Sequence, residues 1–122
     1  MTAQTILTVD DSRTMRSMLL LTLTDAVYRV VQAVDGVHGL DVLSGEAPKT
    51  IITDINMPRL DGYGFIERVR ADPRFLRVPI LVLTTESSPE QKSLARRAGA
   101  TGLIVKPFDS AKLVDAVRRV TS

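Results

Sequence analysis

The sequence contains no cysteine and no tryptophan, and three Phe and two Tyr are its only aromatic residues. Without cysteine, the chain can form neither a disulfide framework nor a thiolate metal site. Its first apolar run, residues 6–9, is followed directly by Asp10 and Asp11, so no secretory signal peptide is indicated. No apolar run approaches the roughly 20 residues that a membrane-spanning helix needs. We therefore expect a cytoplasmic protein that does not insert into membranes.

A strong excess of one charge is also missing. Sixteen Lys and Arg residues stand against fourteen Asp and Glu residues, which gives a net charge of +2. The basic residues are spread along the chain, and the concentrated basic stripe typical of nucleic-acid binding is absent, so we expect no nucleic-acid partner. At 122 residues, with 44% hydrophobic and 25% charged residues, the composition is that of one globular domain. We predict a single domain over residues 1–122.

Five short apolar runs alternate with five segments of helical period. The runs are rich in β-branched residues, as expected of strands that are covered on both faces. The predicted strands are Thr5–Val9, Arg29–Ala33, Thr50–Thr53, Ile80–Leu83 and Gly102–Val105. Alternation of strands and helices predicts an α/β fold, with a five-stranded parallel sheet and helices on both faces.

The helical segments have cap residues at their ends and apolar residues along one face. Predicted N-caps, all with a side-chain oxygen just before a helix, are Ser12, Asp35, Asp61, Ser88 and Asp109. Gly99 is suited to the end of the fourth helix. Residues predicted to face the core include Met15, Met18, Leu19 and Leu23 in the first helix, and Val37, Leu40 and Leu43 in the second.

Polar side chains follow four of the predicted strands at their carboxyl ends. Asp10 and Asp11 follow the first strand, Asp54 the third, Thr84 the fourth and Lys106 the fifth. Each alone has an ordinary explanation as a turn, cap or surface residue. Because all ends of parallel strands lie at one edge, where ligands bind in open α/β sheets, we expect these side chains to converge. Three acids with a lysine and a hydroxyl suit a hard cation such as Mg²⁺ and an incoming phosphoryl group.

These residues stand in motifs that resemble the receiver domain of two-component response regulators, and most closely its single-domain, CheY-like chemotaxis type. The matching segments are residues 10–12, residues 54–58 followed by Asp61 and Gly62, residues 83–85 and residues 106–108. They occur in the order and spacing of the family across essentially the whole chain. The resemblance implies a doubly wound, flavodoxin-like sheet in the strand order 2-1-3-4-5. It also implies a lone receiver with no output domain.

The resemblance further implies a role for each site residue. Asp54 would accept a phosphoryl group from a histidine kinase. Asp11, Asp54 and the backbone carbonyl of Asn56 would hold Mg²⁺, with Asp10 acting through a water molecule. Lys106 would pair with a phosphoryl oxygen, and Thr84 would move to contact another. The peptide bond between Lys106 and Pro107 would be cis.

Two further positions bear on kinetics and output. Asn56 and Glu86 stand two residues after Asp54 and Thr84, where the family modulates hydrolysis of the aspartyl phosphate. This polar pair resembles that of fast-decaying chemotaxis regulators. Leu103 departs from the family, which usually has an aromatic residue three positions before the lysine. Leu103 either fills the end of a buried strand or marks an output face without an aromatic switch.

The resemblance implies a monomeric signalling switch rather than an enzyme, with a histidine kinase as phosphodonor and a downstream protein target such as a flagellar motor switch. A receiver serving a phosphorelay or stress pathway, or a phosphate sink, is the alternative. A haloacid dehalogenase-type phosphohydrolase would need a second Asp two residues after its nucleophile, where this chain has Ser12 or Asn56. A flavin carrier would need aromatic residues placed to stack on the ring, and none is apparent.

Overall fold

The computed structural model describes residues 3–86 and 88–121, and these form five strands and five helices in strict alternation. The strands are β1 Thr5–Val9, β2 Arg29–Ala33, β3 Thr50–Asp54, β4 Ile80–Thr84 and β5 Gly102–Val105. The helices are α1 Arg13–Asp25, α2 Gly36–Gly45, α3 Gly62–Ala71, α4 Pro89–Ala98 and α5 Ser110–Val120. A short 3₁₀ turn, Pro73–Phe75, follows α3.

All strands are parallel, and their order is β2-β1-β3-β4-β5, which confirms the predicted flavodoxin-like sheet. The chain reverses its direction of winding between β1 and β3, and these two strands are hydrogen-bonded neighbours. β3 and β4 each extend one residue beyond the predicted end, because Asp54 pairs with Leu83 and Thr84 pairs with Val105. Both residues are therefore held by the sheet rather than by a loop.

Alternation along the strands divides the core into two layers. Ile6 and Ile52 point to the face covered by α1 and α5, where they pack against Leu19 and Leu113. The other face is covered by α2, α3 and α4. Its core side chains include Leu7, Val9, Ile51, Phe65, Ile66 and Ala95. Burial on both faces explains why the strands are continuously apolar.

The predicted caps are confirmed. The backbone N–H of the third residue after each cap donates to the side chains of Ser12, Asp35, Asp61, Ser88 and Asp109. Gly99 ends α4 with φ +116°, a left-handed conformation that glycine adopts without steric cost. In the described residues, no helix has the length and apolarity required to cross a bilayer.

Two side chains predicted to face the core are exposed instead. Met18 is 43% exposed and Val37 is 41% exposed. Leu19 and Leu23, one turn apart, form the buried face of α1, and Met18 lies about 100° around the helix from Leu19. In α2 the buried face includes Gly39, whose position for a Cβ lies 2.8 Å from the Phe65 ring. A glycine therefore allows α2 to approach α3, and a search for apolar side chains misses this face.

Candidate functional site

Three carboxylates meet at the carboxyl ends of β1 and β3. Asp10, Asp11 and Asp54 each place an oxygen within 4.8 Å of the others. Asp10 is fully buried, Asp54 is 8% exposed and Asp11 is exposed to solvent. The predicted convergence of these acids is thus present, and it follows from the direct pairing of β1 with β3.

Lys106 reaches this cluster from the end of β5. Its Nζ lies 3.1 Å from Oδ1 of Asp54 and 3.3 Å from Oδ2 of Asp10. The backbone N–H of Lys106 donates to the carbonyl of Thr84 at 2.7 Å, which fixes the start of the side chain beside β4. The following bond to Pro107 is cis, as expected. One cation thereby bridges two carboxylates that would otherwise repel each other.

Asp10 lies deepest in the cluster. Burial, reinforced by the negative charge of Asp54, raises the pKa of Asp10, although the Ser12 N–H and Lys106 act in the opposite direction. The Ser12 N–H donates to Oδ1 of Asp10 at 2.8 Å, and the Arg16 guanidinium donates to its backbone carbonyl at 2.8 Å. The fold thus retains a buried acid whose charged form is disfavoured by its surroundings.

Asp54 is held rigidly from two sides. Its Oδ1 accepts a hydrogen bond from the Ile55 N–H at 2.8 Å, and the hydroxyl of Thr53 donates to its backbone carbonyl at 2.9 Å. Gly62 packs directly on this turn, because a Cβ there would stand 2.2 Å from the carbonyl oxygen of Asp54. The close approach requires glycine at the start of α3.

The donor set matches a hard divalent cation. All three clustered side chains offer carboxylate oxygens, with no nitrogen or sulfur ligand among them. Such a cation prefers oxygen ligands and would reduce the repulsion between the acids. A site combining acids, a fixed lysine and room for a cation is suited to accept a phosphoryl group, whose transfer depends on positioning and charge neutralisation.

The sequence pattern described as the response regulator receiver domain matches residues 6–118 of this chain. The chain belongs to the response regulator receiver domain family. Its resemblance to that family, first drawn from the motifs alone, is therefore confirmed.

Individual relatives agree with this assignment. The receiver is 42% identical to the chemotaxis protein CheY1 of Helicobacter pylori over 105 residues, covering 84% of this chain and 85% of that protein. The structure of the chemotaxis response regulator CheY4 of Vibrio cholerae is similar, with a TM-score of 0.93, 42% identity and coverage of 98% and 99% of the two chains. A receiver domain of a Pseudomonas aeruginosa sensor histidine kinase, with a magnesium ion in its active-site cleft, gives a TM-score of 0.91 at 29% identity, with the same coverage.

Thr84 of this receiver lies at the end of β4 and is 6% exposed. Its Oγ1 accepts a hydrogen bond from the backbone N–H of Glu86 at 3.1 Å. Among the hydrogen bonds of the described residues, the Thr84 hydroxyl is thus engaged with the segment after β4 and not with Asp54.

Asn56 and Glu86 lie at the rim of the site with exposed side chains. Asn56 follows Asp54 and Ile55 in the turn against which Gly62 packs. Its backbone is therefore two residues along the chain from Asp54. The carboxylate of Glu86 accepts a hydrogen bond from the side-chain amide of Gln91 at 3.2 Å. Of the two residues that the resemblance links to hydrolysis of the aspartyl phosphate, Glu86 is thus the one with a side-chain hydrogen bond to α4.

Leu103 is half-buried and packs against the core layer under α4. Beside it, a cavity of about 200 Å³ opens between α4 and β5, lined by residues such as Ala95, Ala100 and Gly102. Its lining combines these small residues with the long side chains of Lys92 and Arg96 from α4. Leu103 therefore fills the end of the strand only in part, and the described side chains place no aromatic ring in this cavity.

Sequence reasoning missed two sets of contacts around the site. The Arg59 guanidinium donates to Oδ2 of Asp35 at 2.7 and 2.9 Å, which ties the turn after β3 to the start of α2. Arg59 adopts φ +68°, an uncommon value for a residue with a side chain. The hydroxyl of Tyr63 donates to the side-chain oxygen of Gln91, which joins α3 to α4. No motif signals either pair, because both depend on how helices lie beside one another.

Proposed function

We propose that this receiver is a phospho-accepting switch of a two-component system, with Asp54 as the acceptor. An oxygen of Asp54 attacks the phosphorus of a phosphohistidine on a histidine kinase. A P–O bond forms as the P–N bond breaks, and the imidazole keeps the electron pair and takes up a proton. The observation that carries this proposal is the nearly buried Asp54 carboxylate beside Asp10, Asp11 and the bridging Lys106.

Asp11, Asp54 and the backbone carbonyl of Asn56 would hold Mg²⁺, with Asp10 acting through a water molecule. When bound, the ion supplies positive charge that offsets the repulsion between the acids and the phosphoryl oxygens. The protein residues do the rest of the positioning. Lys106, already 3.1 Å from Asp54, pairs with a second phosphoryl oxygen once the aspartyl phosphate has formed.

Phosphorylation replaces the single negative charge of Asp54 with a phosphoryl group that carries about −1.5 to −2 units of charge, beside Lys106. The Thr84 hydroxyl then turns from Glu86 to a phosphoryl oxygen, and the segment after β4 follows. The resulting change in the surface of α4, β5 and α5 alters the affinity for a downstream protein. The protein so acts as a signalling switch, and the only reactions it catalyses are its own phosphorylation and dephosphorylation.

The output belongs to chemotaxis. The supporting observation is the identity of about two fifths to named chemotaxis regulators, which covers most of both chains. The partners are then a chemotaxis histidine kinase and a target such as a flagellar motor switch protein. We propose that the receiver works as a cytoplasmic monomer, with residues 1–122 forming a single domain.

Asn56 and Glu86 would set the lifetime of the aspartyl phosphate. Both are polar and lie at the rim of the site, where they can contact the water molecule that attacks the phosphorus. A lifetime of seconds to minutes is expected. A phosphorylated sample that stays intact for hours in the presence of Mg²⁺ would contradict this assignment.

Incubation with Mg²⁺ and acetyl phosphate tests the proposal. Intact-mass measurement should show one phosphoryl adduct on the wild-type protein and none on Asp54→Asn. Asp41→Asn is the matched control, because Asp41 is exposed on α2 away from the cluster. A wild-type protein without an adduct, or an adduct on Asp54→Asn, would refute the central claim.

The pathway needs a separate experiment. A pull-down with and without Mg²⁺ and beryllofluoride, which mimics the phosphoryl group, should retain a flagellar switch protein only in the activated state. Retention of a histidine-containing phosphotransfer protein instead would assign the receiver to a phosphorelay.

A further inference from the structure

A chain of hydrogen bonds connects Thr84 to Tyr63 through two intermediate side chains. The Glu86 N–H donates to Oγ1 of Thr84 at 3.1 Å, and the Glu86 carboxylate accepts from Nε2 of Gln91 at 3.2 Å. Oε1 of Gln91 in turn accepts from the Tyr63 hydroxyl. We name these four residues, Thr84, Glu86, Gln91 and Tyr63, the latch. It joins the end of β4, the residue two positions later, the first turn of α4 and the first turn of α3.

Gln91 is well placed to hold this chain together. Its backbone N–H donates to Oγ of Ser88, the cap of α4, so the residue is anchored in the first helical turn. Its side chain uses both ends of the amide, the oxygen toward Tyr63 and the nitrogen toward Glu86. A side-chain amide can accept from a hydroxyl through its oxygen and donate to a carboxylate through its nitrogen at the same time.

Tyr63 forms the fixed end of the latch. Its ring is half-buried and packs against the core layer that includes Phe65 and Ile66. Burial raises the pKa of the Tyr63 hydroxyl, and the negative charges of Asp61 and Glu86 add to the effect, so the phenol keeps the proton that it donates. The ring is attached to α3, the helix that begins at Gly62 against the Asp54 turn.

The latch matters because Thr84 must leave it to contact a phosphoryl group. While Glu86 is held by Gln91, its N–H stays at the Thr84 hydroxyl. Leu103, the β5 residue three positions before Lys106, has no aromatic ring that could couple this strand to Thr84. Among the hydrogen bonds of the described residues, that of the Tyr63 hydroxyl links an aromatic side chain to Gln91 and through it to Glu86.

We propose that Tyr63 and Gln91 are positioning residues that hold Glu86, and through it Thr84, in the unphosphorylated arrangement. The proposal rests on the proposed function, since it assigns a resting state to the same switch. Contacts made only in the resting state raise the free-energy cost of switching. Removing them should therefore make activation easier without altering the acid cluster.

Beryllofluoride titration in the presence of Mg²⁺ measures this cost. Gln91→Met keeps the length of the side chain but removes both amide contacts, and Tyr63→Phe keeps the ring but removes the hydroxyl. Tyr63→Phe should lower the beryllofluoride concentration at half-saturation by about two- to tenfold, the effect of losing one hydrogen bond, and Gln91→Met, which loses two, should lower it by at least as much. Tyr28→Phe is the matched control, because Tyr28 packs in the other core layer. It should leave the titration unchanged.

Combining the changes separates a shared chain from independent effects. The double variant with Tyr63→Phe and Gln91→Met should activate no more easily than Gln91→Met alone, because either change interrupts the same chain. Full additivity, an unchanged titration or a higher half-saturation concentration in folded single variants would overturn the latch. Absence of any response in the wild-type protein would instead refute the proposed function.

Tyrosine fluorescence gives a readout that a purely structural role would not change. The sequence has no Trp and two Tyr, so Tyr63 is the lone emitter in a Tyr28→Phe background. Its emission should change on adding beryllofluoride and Mg²⁺. Adding Gln91→Met to this background should bring the starting emission close to the activated level. Emission that is identical in both states would show that Tyr63 keeps its contact, which contradicts the proposal.

Discussion

In β3 every residue is buried and Asp54 at its end is 8% exposed, whereas none of the residues of β5 is buried and Val105 is 42% exposed. The centre of the sheet lies between two layers of helix, and a cavity opens between β5 and α4. The central strands hold the charges that the chemistry requires. At the β5 edge, the surface can change without moving these charged side chains.

This difference has a physical basis. Burial and fixed neighbours strengthen electrostatic interactions and keep the carboxylates in position, so a phosphoryl acceptor benefits from a rigid setting. A signal that leaves the domain needs two arrangements close in free energy, which a half-exposed edge with few buried contacts provides. Lys106 and Thr84 connect the two regions, because Lys106 follows the edge strand β5 and reaches Asp10 and Asp54, and Thr84 ends β4, which lies between β3 and β5.

A change of glycine to alanine in each of the two regions should produce the largest difference in the free energy of unfolding. In Gly62→Ala the new Cβ would stand 2.2 Å from the backbone oxygen of Asp54, and backbone cannot move away cheaply. We expect a loss of about 3 kcal/mol in the free energy of unfolding, measured by urea denaturation. In Gly102→Ala the nearest atom is a flexible Leu81 methyl at 3.1 Å, so the loss should stay below about 1 kcal/mol. Equal losses would contradict the contrast.

Removal of the bridging cation should have the next largest effect. Lys106→Met leaves Asp10 and Asp54 facing each other without compensation, so we expect the protein to lose about 2–3 kcal/mol without divalent ions. Mg²⁺ should restore part of this loss, because an ion that binds only the folded state stabilises it. Lys112→Met, an exposed position on α5, serves as the control for urea denaturation. A loss no greater than in the control would show that Lys106 does not offset the acids.

Asp10→Asn should stabilise the protein when divalent ions are absent. The raised pKa of Asp10 means that the folded state binds its proton more tightly than the unfolded state. Stability therefore falls as pH rises from the pKa of Asp10 in the unfolded state, about 3.9, through its pKa in the folded state. The charged side chain is thus a cost at neutral pH.

The amide of Asn at position 10 removes this cost, retains an acceptor for the Ser12 N–H and leaves Lys106 paired with Asp54. The thermal midpoint should rise by a few degrees, equivalent to about 1 kcal/mol. A lower midpoint would contradict this expectation.

Asp35, beyond the opposite edge of the sheet, should show the reverse pH dependence and the smallest effect. The hydrogen bond from the His38 N–H, and then those from Arg59, lower the pKa of Asp35. Its contribution is therefore present above the unfolded pKa of about 3.9 and is lost as pH falls through the folded value. Asn at this position can still cap α2 but cannot form the ion pair. The stability difference between wild type and Asp35→Asn should shrink on acidification, and a difference independent of pH would count against the pair.

Much of the fold could be predicted because its signals are local. The strands, the caps and the winding on both faces follow from apolar runs, cap residues and the alternation of elements. The errors at Met18 and Val37 have a common cause, since an apolar residue next to the buried stripe has the same sequence signature as one within it. The buried face of α2 at Gly39 was missed because the search looked for apolar side chains. Gly39 has none, and this is what lets α2 lie close to Phe65 of α3.

The meeting of polar side chains at one edge of the sheet could be predicted from the order of residues along the chain. Asp10, Asp11, Asp54, Thr84 and Lys106 follow the ends of strands, and parallel strands bring their ends to one edge whatever the details of packing. The side chains that surround and hold these residues could not be predicted in this way, because they come from the packing of the helices. The Arg59 pair, the latch and the cavity beside Leu103 join segments that are distant in sequence, so they depend on distances between helices that no local pattern encodes.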